Sequence, residues 1–186
     1  MTPPNLPHRI AVLCYLHDEN GRLLLLHRTK DPNCGMYSPI GGKLEVTWGE
    51  SPHQCAVREI AEEAGITVAT EDLHLTGIVA ETAYEGRTHW LIFVFEVMRP
   101  IREGEIVEMT IDEGTLEWVA PADVPAKPIP LTDREIMWPL FRDHRGGFFV
   151  VHIDCTEGDD ITWTIEQSTR TIANRTGRAG SAPCSS

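Results

Sequence analysis

Two apolar runs open the chain, Ile10 to Leu16 and Leu23 to Leu26. Asp18-Glu-Asn-Gly21 lies between them as a turn signature, so the segment predicts a β-hairpin. Thr29 to Tyr37 contains Pro32 and Gly35 and reads as a loop. From Glu50 to Ala64 the period becomes helical, with Ala56, Val57, Ile60, Ala61 and Ala64 on the stripe to be buried. Ser51 is the expected cap, Pro52 suits the first helical position, Gln54 completes a capping box and Gly65 stops the helix. Leu73 to Thr82 and His89 to Met98 predict strands joined at Glu85-Gly86, and Thr115 to Val119 predicts a short one. Thr132-Asp-Arg-Glu135 has the form of a second capping box, leading into an apolar face of Ile136, Met137, Leu140 and Phe141. Pro139 inside that helix predicts a kink. Phe148 to Ile153 and Ile161 to Ile165 predict a closing hairpin. From Ser168 onward the chain is polar and without period, the composition of a disordered tail. Strands mixed with two main helices place the fold in the α+β class or among α/β sandwiches.

Three acids on the first helix change the picture. Glu59, Glu62 and Glu63 stand at i, i+3 and i+4 and share one face. Like charges at these spacings cost roughly 0.2–0.5 kcal/mol per pair. Glu62 and Glu63 also occupy the last turn, where the helix dipole disfavours anions by about 0.3–1 kcal/mol each. A cation bound between them would account for the arrangement. An oxygen-only ligand set favours magnesium, or manganese in its place, over zinc. Arg58 is positioned to pair with a neighbouring carboxylate and orient it.

Composition narrows the alternatives. The 186 residues suit one domain, and 41% hydrophobic with 24% charged residues is enough to bury a core. No apolar run reaches the ~18 residues needed to span a membrane, and residues 1–7 lack the features of a signal peptide. The five cysteines, Cys14, Cys34, Cys55, Cys155 and Cys184, are widely spaced with no C-x-x-C, so free thiols in the cytoplasm are expected. A net charge of −12 without a basic stripe argues against a nucleic-acid polymer as partner. The eight histidines show no shared ligand spacing.

The run Glu50, seven residues, Arg58-Glu59-Ile60-Ala61-Glu62-Glu63-Ala64-Gly65-Ile66 resembles the signature of the Nudix hydrolases. Gly41-Gly42-Lys43 and Glu45 resemble its opening. Gly42 and Glu50 are separated by seven residues instead of the family's five, so Val46-Thr-Trp-Gly49 carries a two-residue insertion. The resemblance covers residues 8–167, leaving residues 1–7 as an extension and 168–186 as the tail. It implies an α/β/α sandwich with a mixed central β-sheet. It also implies a magnesium-dependent pyrophosphohydrolase acting on a nucleoside diphosphate linked to another moiety, as a monomer or homodimer. Glu59, Glu62, Glu63, Glu113 and the Gly42 carbonyl would be the metal ligands. Glu113, five residues before Trp118, looks like the family's downstream acid, and either Glu62 or Glu113 would be the general base. Arg28 and Lys43 would meet phosphates.

Met137-Trp-Pro-Leu-Phe141 and the closing hairpin resemble the enzymes that clear oxidised purine nucleoside triphosphates. By that likeness Ser38 and Asp133 would read a purine, and Leu131 would line the pocket where relatives carry an aromatic. Tyr84, eighteen residues after the signature, has a spacing associated with dinucleoside polyphosphate hydrolases, although core packing is its more ordinary role. A nucleotide-sugar hydrolase and a non-catalytic nucleotide-sensing module are the remaining alternatives. Sensing modules commonly lose signature carboxylates, and this chain keeps Glu50, Glu59, Glu62 and Glu63.

Overall fold

The first strand, β1 (His8–Tyr15), sends alternate side chains to opposite sides. Val12 and Cys14 enter one apolar cluster, whereas Leu13 and Tyr15 belong to a second. That alternation defines a layered molecule, and a computed structural model describes it for residues 4–30, 33–158 and 160–170. Beside β1 lie β5 (Thr88–Val97), β4 (Leu73–Tyr84), β8 (Phe148–Asp154) and β9 (Thr162–Thr169), in the order β1-β5-β4-β8-β9. The sheet is mixed: β1 with β5 and β4 with β8 run parallel, and the other pairs antiparallel.

Helix α1 (Pro52–Ala64) covers one face, burying Cys55, Ala56, Ile60 and Ala64 against Val12, Cys14, Leu16 and Phe95. On the other face, Ile136, Met137, Trp138, Leu140 and Phe141 pack on Tyr15, Val79, Val94 and Phe149. The result is the expected α+β sandwich around a mixed sheet. Helix α1 starts and stops as its sequence predicts. Ser51 and Gln54 exchange both capping-box bonds, and Gly65 closes the helix in the left-handed region at φ 68°. Among the described residues no helix is long and apolar enough to cross a membrane.

The first expected hairpin is corrected. β2 (Leu23–Arg28) leaves β1 and joins a second, antiparallel sheet with β3 (Tyr37–Ser38), β7 (Gly114–Val119) and β6 (Thr110–Ile111), in the order β3-β2-β7-β6. The turn itself forms, with the Asp18 carboxylate accepting the Asn20 and Arg22 amides at 2.9 and 2.8 Å. Only one bridge, His17 to Leu23, links its arms. The cause lies in β2, where Leu23 through Leu26 are all buried. Leu24 and Leu26 enter the cluster under α1 and Leu23 and Leu25 the other, so the strand needs apolar cover on both sides. A solvated hairpin arm would not supply it.

The second helical stretch also departs from expectation. Its backbone is already helical at 131–132, Thr132 makes no capping bond, and Asp133–Met137 forms a π-turn before α2 (Trp138–Asp143). The Trp138 amide reaches back to the Asp133 carbonyl, five residues away. Thus the irregularity expected from Pro139, which has no N–H to continue the regular ladder, takes the form of a π-turn.

At the far edge, β9 continues to Thr169 and so takes in the first two residues of the expected tail; residues 171–186 lie outside the described residues. Ser168 faces Phe149 in the ladder, and its hydroxyl lies 2.7 Å from Nε2 of the fully buried His144. Ser168→Ala therefore strands a buried imidazole nitrogen and should cost about 1–3 kcal/mol in urea unfolding. Wild-type stability in that variant would show that His144 needs no partner there.

Candidate active site

Helix α1 meets the loop before it through one guanidinium. Arg58 donates to Glu50 through Nε and Nη2 at 2.8 and 3.0 Å, a bidentate pair. Those bonds hold the Glu50 carboxyl down at about 2, well below the ordinary carboxylate range. Glu50 in turn accepts the Glu45 amide at 2.8 Å, and Arg58 Nη2 also reaches the Lys43 carbonyl at 3.1 Å. The two-residue insertion is taken up as a 3-10 turn at Val46–Trp48, leaving Trp48 87% exposed. The altered spacing lies before Glu50, and Arg58 still reaches across it to the Lys43 carbonyl.

The other side of Arg58 faces the acids. Its Nη1 bridges Glu59 at 2.7 Å and Glu62 at 3.0 Å. Glu59 is buried and packed against Gly42, where any added Cβ would come within 2.3 Å of a carboxylate oxygen. Burial raises the Glu59 carboxyl. Glu63 is only 4% exposed and accepts the Gly41 amide at 2.9 Å. Its carboxyl is pushed up to about 8, first by burial and then by the charges of Glu113 and Glu59. Glu62, by contrast, is 58% exposed along its side chain. The Gly42 carbonyl accepts the Val12 amide at 2.9 Å and, more distantly, the Cys55 thiol at 3.9 Å. Glu113 sits in the two-residue turn between β6 and β7 and accepts Arg28 Nη2 at 3.2 Å.

Among the described residues no three acidic, histidine or cysteine side chains converge as a ready-made metal-binding group. The donor chemistry nevertheless fits a hard divalent cation. The available side-chain donors are carboxylate oxygens, and burial and mutual repulsion raise Glu59 and Glu63, which a nearby cation would offset. Arg58 occupies part of that role. Glu59 and Glu62 would have to swing off its Nη1 to ligate together.

A cleft of ≈ 430 Å³ runs past these groups, lined by Arg28, Gly42, Lys43, Arg58, Glu59 and Glu113. It continues past Leu13, Trp90, Ile92 and Met137 to Ser38, Thr132, Asp133 and Glu81. Ser38 and Asp133 were expected here. Leu131 is exposed and does not line the cleft, its neighbours Pro130 and Thr132 doing so instead. Tyr84 faces the cleft, and its hydroxyl points to Asn33 Oδ1 at 3.4 Å. Sequence reasoning missed Glu81 and Trp90.

Glu81 occupies the buried register of β4, between Val79 and Ala83, and pairs across the ladder with Trp90 and Ile153. It is 4% exposed, and its Oε1 has no hydrogen-bond partner. Such a group costs about 1–3 kcal/mol, more if charged. Burial pushes its carboxyl up to about 8, and burial likewise raises Asp133 to about 7. The Thr132 hydroxyl is turned toward Glu81, though no bond of ordinary geometry joins them.

This placement has a consequence for stability. Between an unfolded value near 4.5 and a native value of about 8, the folded state binds more protons at Glu81 than the unfolded state. Stability from this group therefore falls as pH rises through that window. Glu81→Gln should match wild type near pH 5 and exceed it at pH 9 by about 1 kcal/mol or more. Urea titrations at both pH values measure this, and a wild type that gains on the variant with rising pH would refute it.

Comparison with known proteins agrees with this geometry. The family model of the NUDIX domain matches residues 7–139. The crystal structure of the mutator MutT protein from Bacillus halodurans superposes with a TM-score of 0.66 at 27% identity, over 85% of this chain and 97% of that one. A MutT NUDIX hydrolase from Burkholderia pseudomallei gives 0.55 at 29% identity, over 68% and 93%. The MutT protein from Methanosarcina mazei Go1, at 24% identity and a TM-score of 0.60 over 75% and 96%, shares the fold. With a matched domain over most of its length and the signature helix folded as that domain requires, the chain belongs to the Nudix family, hydrolases that act on phosphoanhydride bonds.

Proposed function

We propose that this Nudix hydrolase is a magnesium-dependent pyrophosphohydrolase that converts a nucleoside triphosphate, ordinary or oxidised in its purine, to a monophosphate. One observation carries the reading. Acids whose carboxyls are raised by burial lie on and just behind the wall of a nucleotide-sized groove with apolar walls and polar groups. Likeness to MutT proteins at 27% and 29% identity supports it. With its thiols free in the described part of the chain, the enzyme is assigned to the cytoplasm.

In this reading Glu59, Glu62, Glu63 and Glu113, with the Gly42 carbonyl, hold the metal. Magnesium, when bound, supplies neutralisation of phosphate charge and a lowered pKa for water. Arg58, fixed by Glu50, orients Glu59 and Glu62 from the side, and both swing off its Nη1 to take the metal. Arg28 and Lys43, the cations beside Glu113 and Gly42 on the cleft wall, receive phosphate oxygens. Glu62 or Glu113, both partly open to solvent, takes the proton from the attacking water. Ser38 and Asp133 meet the base.

A panel of nucleoside triphosphates, assayed for phosphate or pyrophosphate release with and without magnesium, tests the proposal. Turnover should require magnesium, and full activity in excess EDTA would overturn it. Glu62→Gln should lower turnover by about a hundredfold or more. Its metal-free melting temperature should hold or rise slightly, because repulsion with its helix neighbours is relieved. Glu71→Gln, outside the signature, is the matched control and should behave as wild type. Equal turnover in both variants would remove Glu62 from the site.

A further inference from the structure

Glu81 and Tyr84 both line the cleft, yet they stand at i and i+3 on the same strand, β4. A regular strand sends residues at odd spacing to opposite faces, so an unbroken β4 would turn one of the two away. The ladder resolves the conflict. Glu81 pairs with Trp90 and Tyr84 with Thr88, which sets Thr82 and Ala83 of β4 against the single residue His89 of β5. Two residues opposite one is a β-bulge, a device that re-aims a side chain beside a site.

The bulge is strained at Ala83. Its φ of 55° lies in the left-handed region, which disfavours any residue with a Cβ. Thr82 is anchored from the β8 side, its carbonyl accepting the Cys155 amide at 3.0 Å and its hydroxyl lying 3.0 Å from His152 Nε2. The Ala83 amide relies instead on the residue across from it, donating to His89 Nδ1 at 3.1 Å. The other ring nitrogen, Nε2, lies 3.0 Å from the Pro4 carbonyl. An amide only donates and a carbonyl only accepts, so the ring carries its proton on Nε2, and Pro4 fixes that tautomer. The Pro7 carbonyl accepts both the His89 amide and the Thr88 hydroxyl at 2.9 Å. Residues 4–7 thus clamp the imidazole that holds the bulge.

We propose that His89 is a positioning residue for the substrate cleft: through the Ala83 amide it keeps the bulge that sets Tyr84 on the same wall as Glu81. The proposal rests on the nucleotide-hydrolase reading above and adds a residue that tightens substrate binding without touching the substrate.

Alternation puts His89 on the face away from the cleft, because its neighbour Trp90 lines it. There its ring stands 6.0 Å from that of His8 on β1. What it delivers is Tyr84. The Tyr84 hydroxyl points to Asn33 Oδ1 at 3.4 Å, so the tip of β4 meets the loop after β2 across the cleft. Loss of the bulge would carry Tyr84 toward the other face and open that end. The carboxylates of α1, with Arg28 and Lys43, stand on other elements and keep their places. Binding, and not the chemical step, is therefore what responds.

Two variants divide the functions of the imidazole. His89→Asn keeps an acceptor at the Nδ1 position and loses the reach to Pro4, whereas His89→Gln keeps a donor at the Nε2 position and loses the acceptor for Ala83. Exchange of the Ala83 amide, followed by NMR, should be about tenfold or more faster in the Gln variant and near wild type in the Asn variant. With magnesium and the triphosphate that wild type turns over best, KM should rise about fivefold or more in the Gln variant, with kcat within about twofold. The Asn variant should keep the wild-type KM. A merely structural histidine predicts the same KM change in both variants, in step with their melting temperatures. Equal KM in the two, or an Ala83 amide as protected in the Gln variant as in wild type, would overturn the assignment and leave the hydrolase reading intact. Failure of wild type to turn over any triphosphate would instead bring down the hydrolase reading. The placement of Tyr84 would then stand or fall on whether the Gln variant loses the NOE between Tyr84 and Asn33.

Discussion

Arg58 joins the glycine loop and the acidic helix across the inserted turn. Its guanidinium spends one edge on Glu50 and the Lys43 carbonyl, and another nitrogen on Glu59 and Glu62. A lysine could not do this, because a point charge lacks the planar fork that satisfies a carboxylate bidentately while still reaching elsewhere. The arrangement also explains how an insertion is tolerated in so constrained a segment. What must be preserved is the reach of Arg58 to Lys43 and of Glu50 to Glu45 across the insertion, and a 3-10 turn at Val46–Trp48 absorbs the extra residues while projecting them outward. Remove the guanidinium and Glu59, buried beside Glu63, would lose the cation that pairs with it.

The sequence exposed those parts of the structure whose signals are local. The α1 cap at Ser51, its stop at Gly65, and the strands of β4, β5, β7 and β8 all lie within a few residues of where period and turn chemistry put them. The misplaced partner of β2 was a different kind of question. Four buried leucines in a row are compatible with a hairpin arm and with a strand covered on both faces, and only the tertiary arrangement distinguishes them. Likewise Thr132-Asp-Arg-Glu135 satisfies the pattern of a capping box, but the helix begins before it and buries the threonine.

The candidate site divides in the same way. Its α1 half was readable because a spaced motif on one helix fixes which side chains share a face. Gly41 was readable only as part of the opening run, and its role in donating to Glu63 depends on the loop's path. The Glu81 half was scattered over β3, β4, β5 and the π-turn, with no spacing to link its members. Even so, one signal was present. In the alternation of Leu73 to Thr82, Val79 sets the inward register and Glu81 stands two residues on, so an acid falls where an apolar residue belongs.

That misplaced acid belongs to a set. Glu63 crowds the negative end of a helix, Glu81 interrupts an apolar register, and Asp133 begins a π-turn in an otherwise regular helical stretch. Each is a local choice that lowers stability: like charges against a dipole, a buried orphan, a strained hydrogen-bond ladder. They come from three elements that have no common sequence neighbourhood, so a shared local cause is excluded. Yet Glu81 and Asp133 line the cleft directly, and Glu63 stands behind Gly41 and beside Glu59, which do so as well. Meanwhile the clusters on either side of the sheet are dense and apolar, and they supply the stability that these positions give up. Independent departures from the rules of folding that meet at one surface are what a site under functional constraint produces. A solvated acidic face would show exposed, individually tolerable charges instead, and Glu63 and Glu81 are both buried.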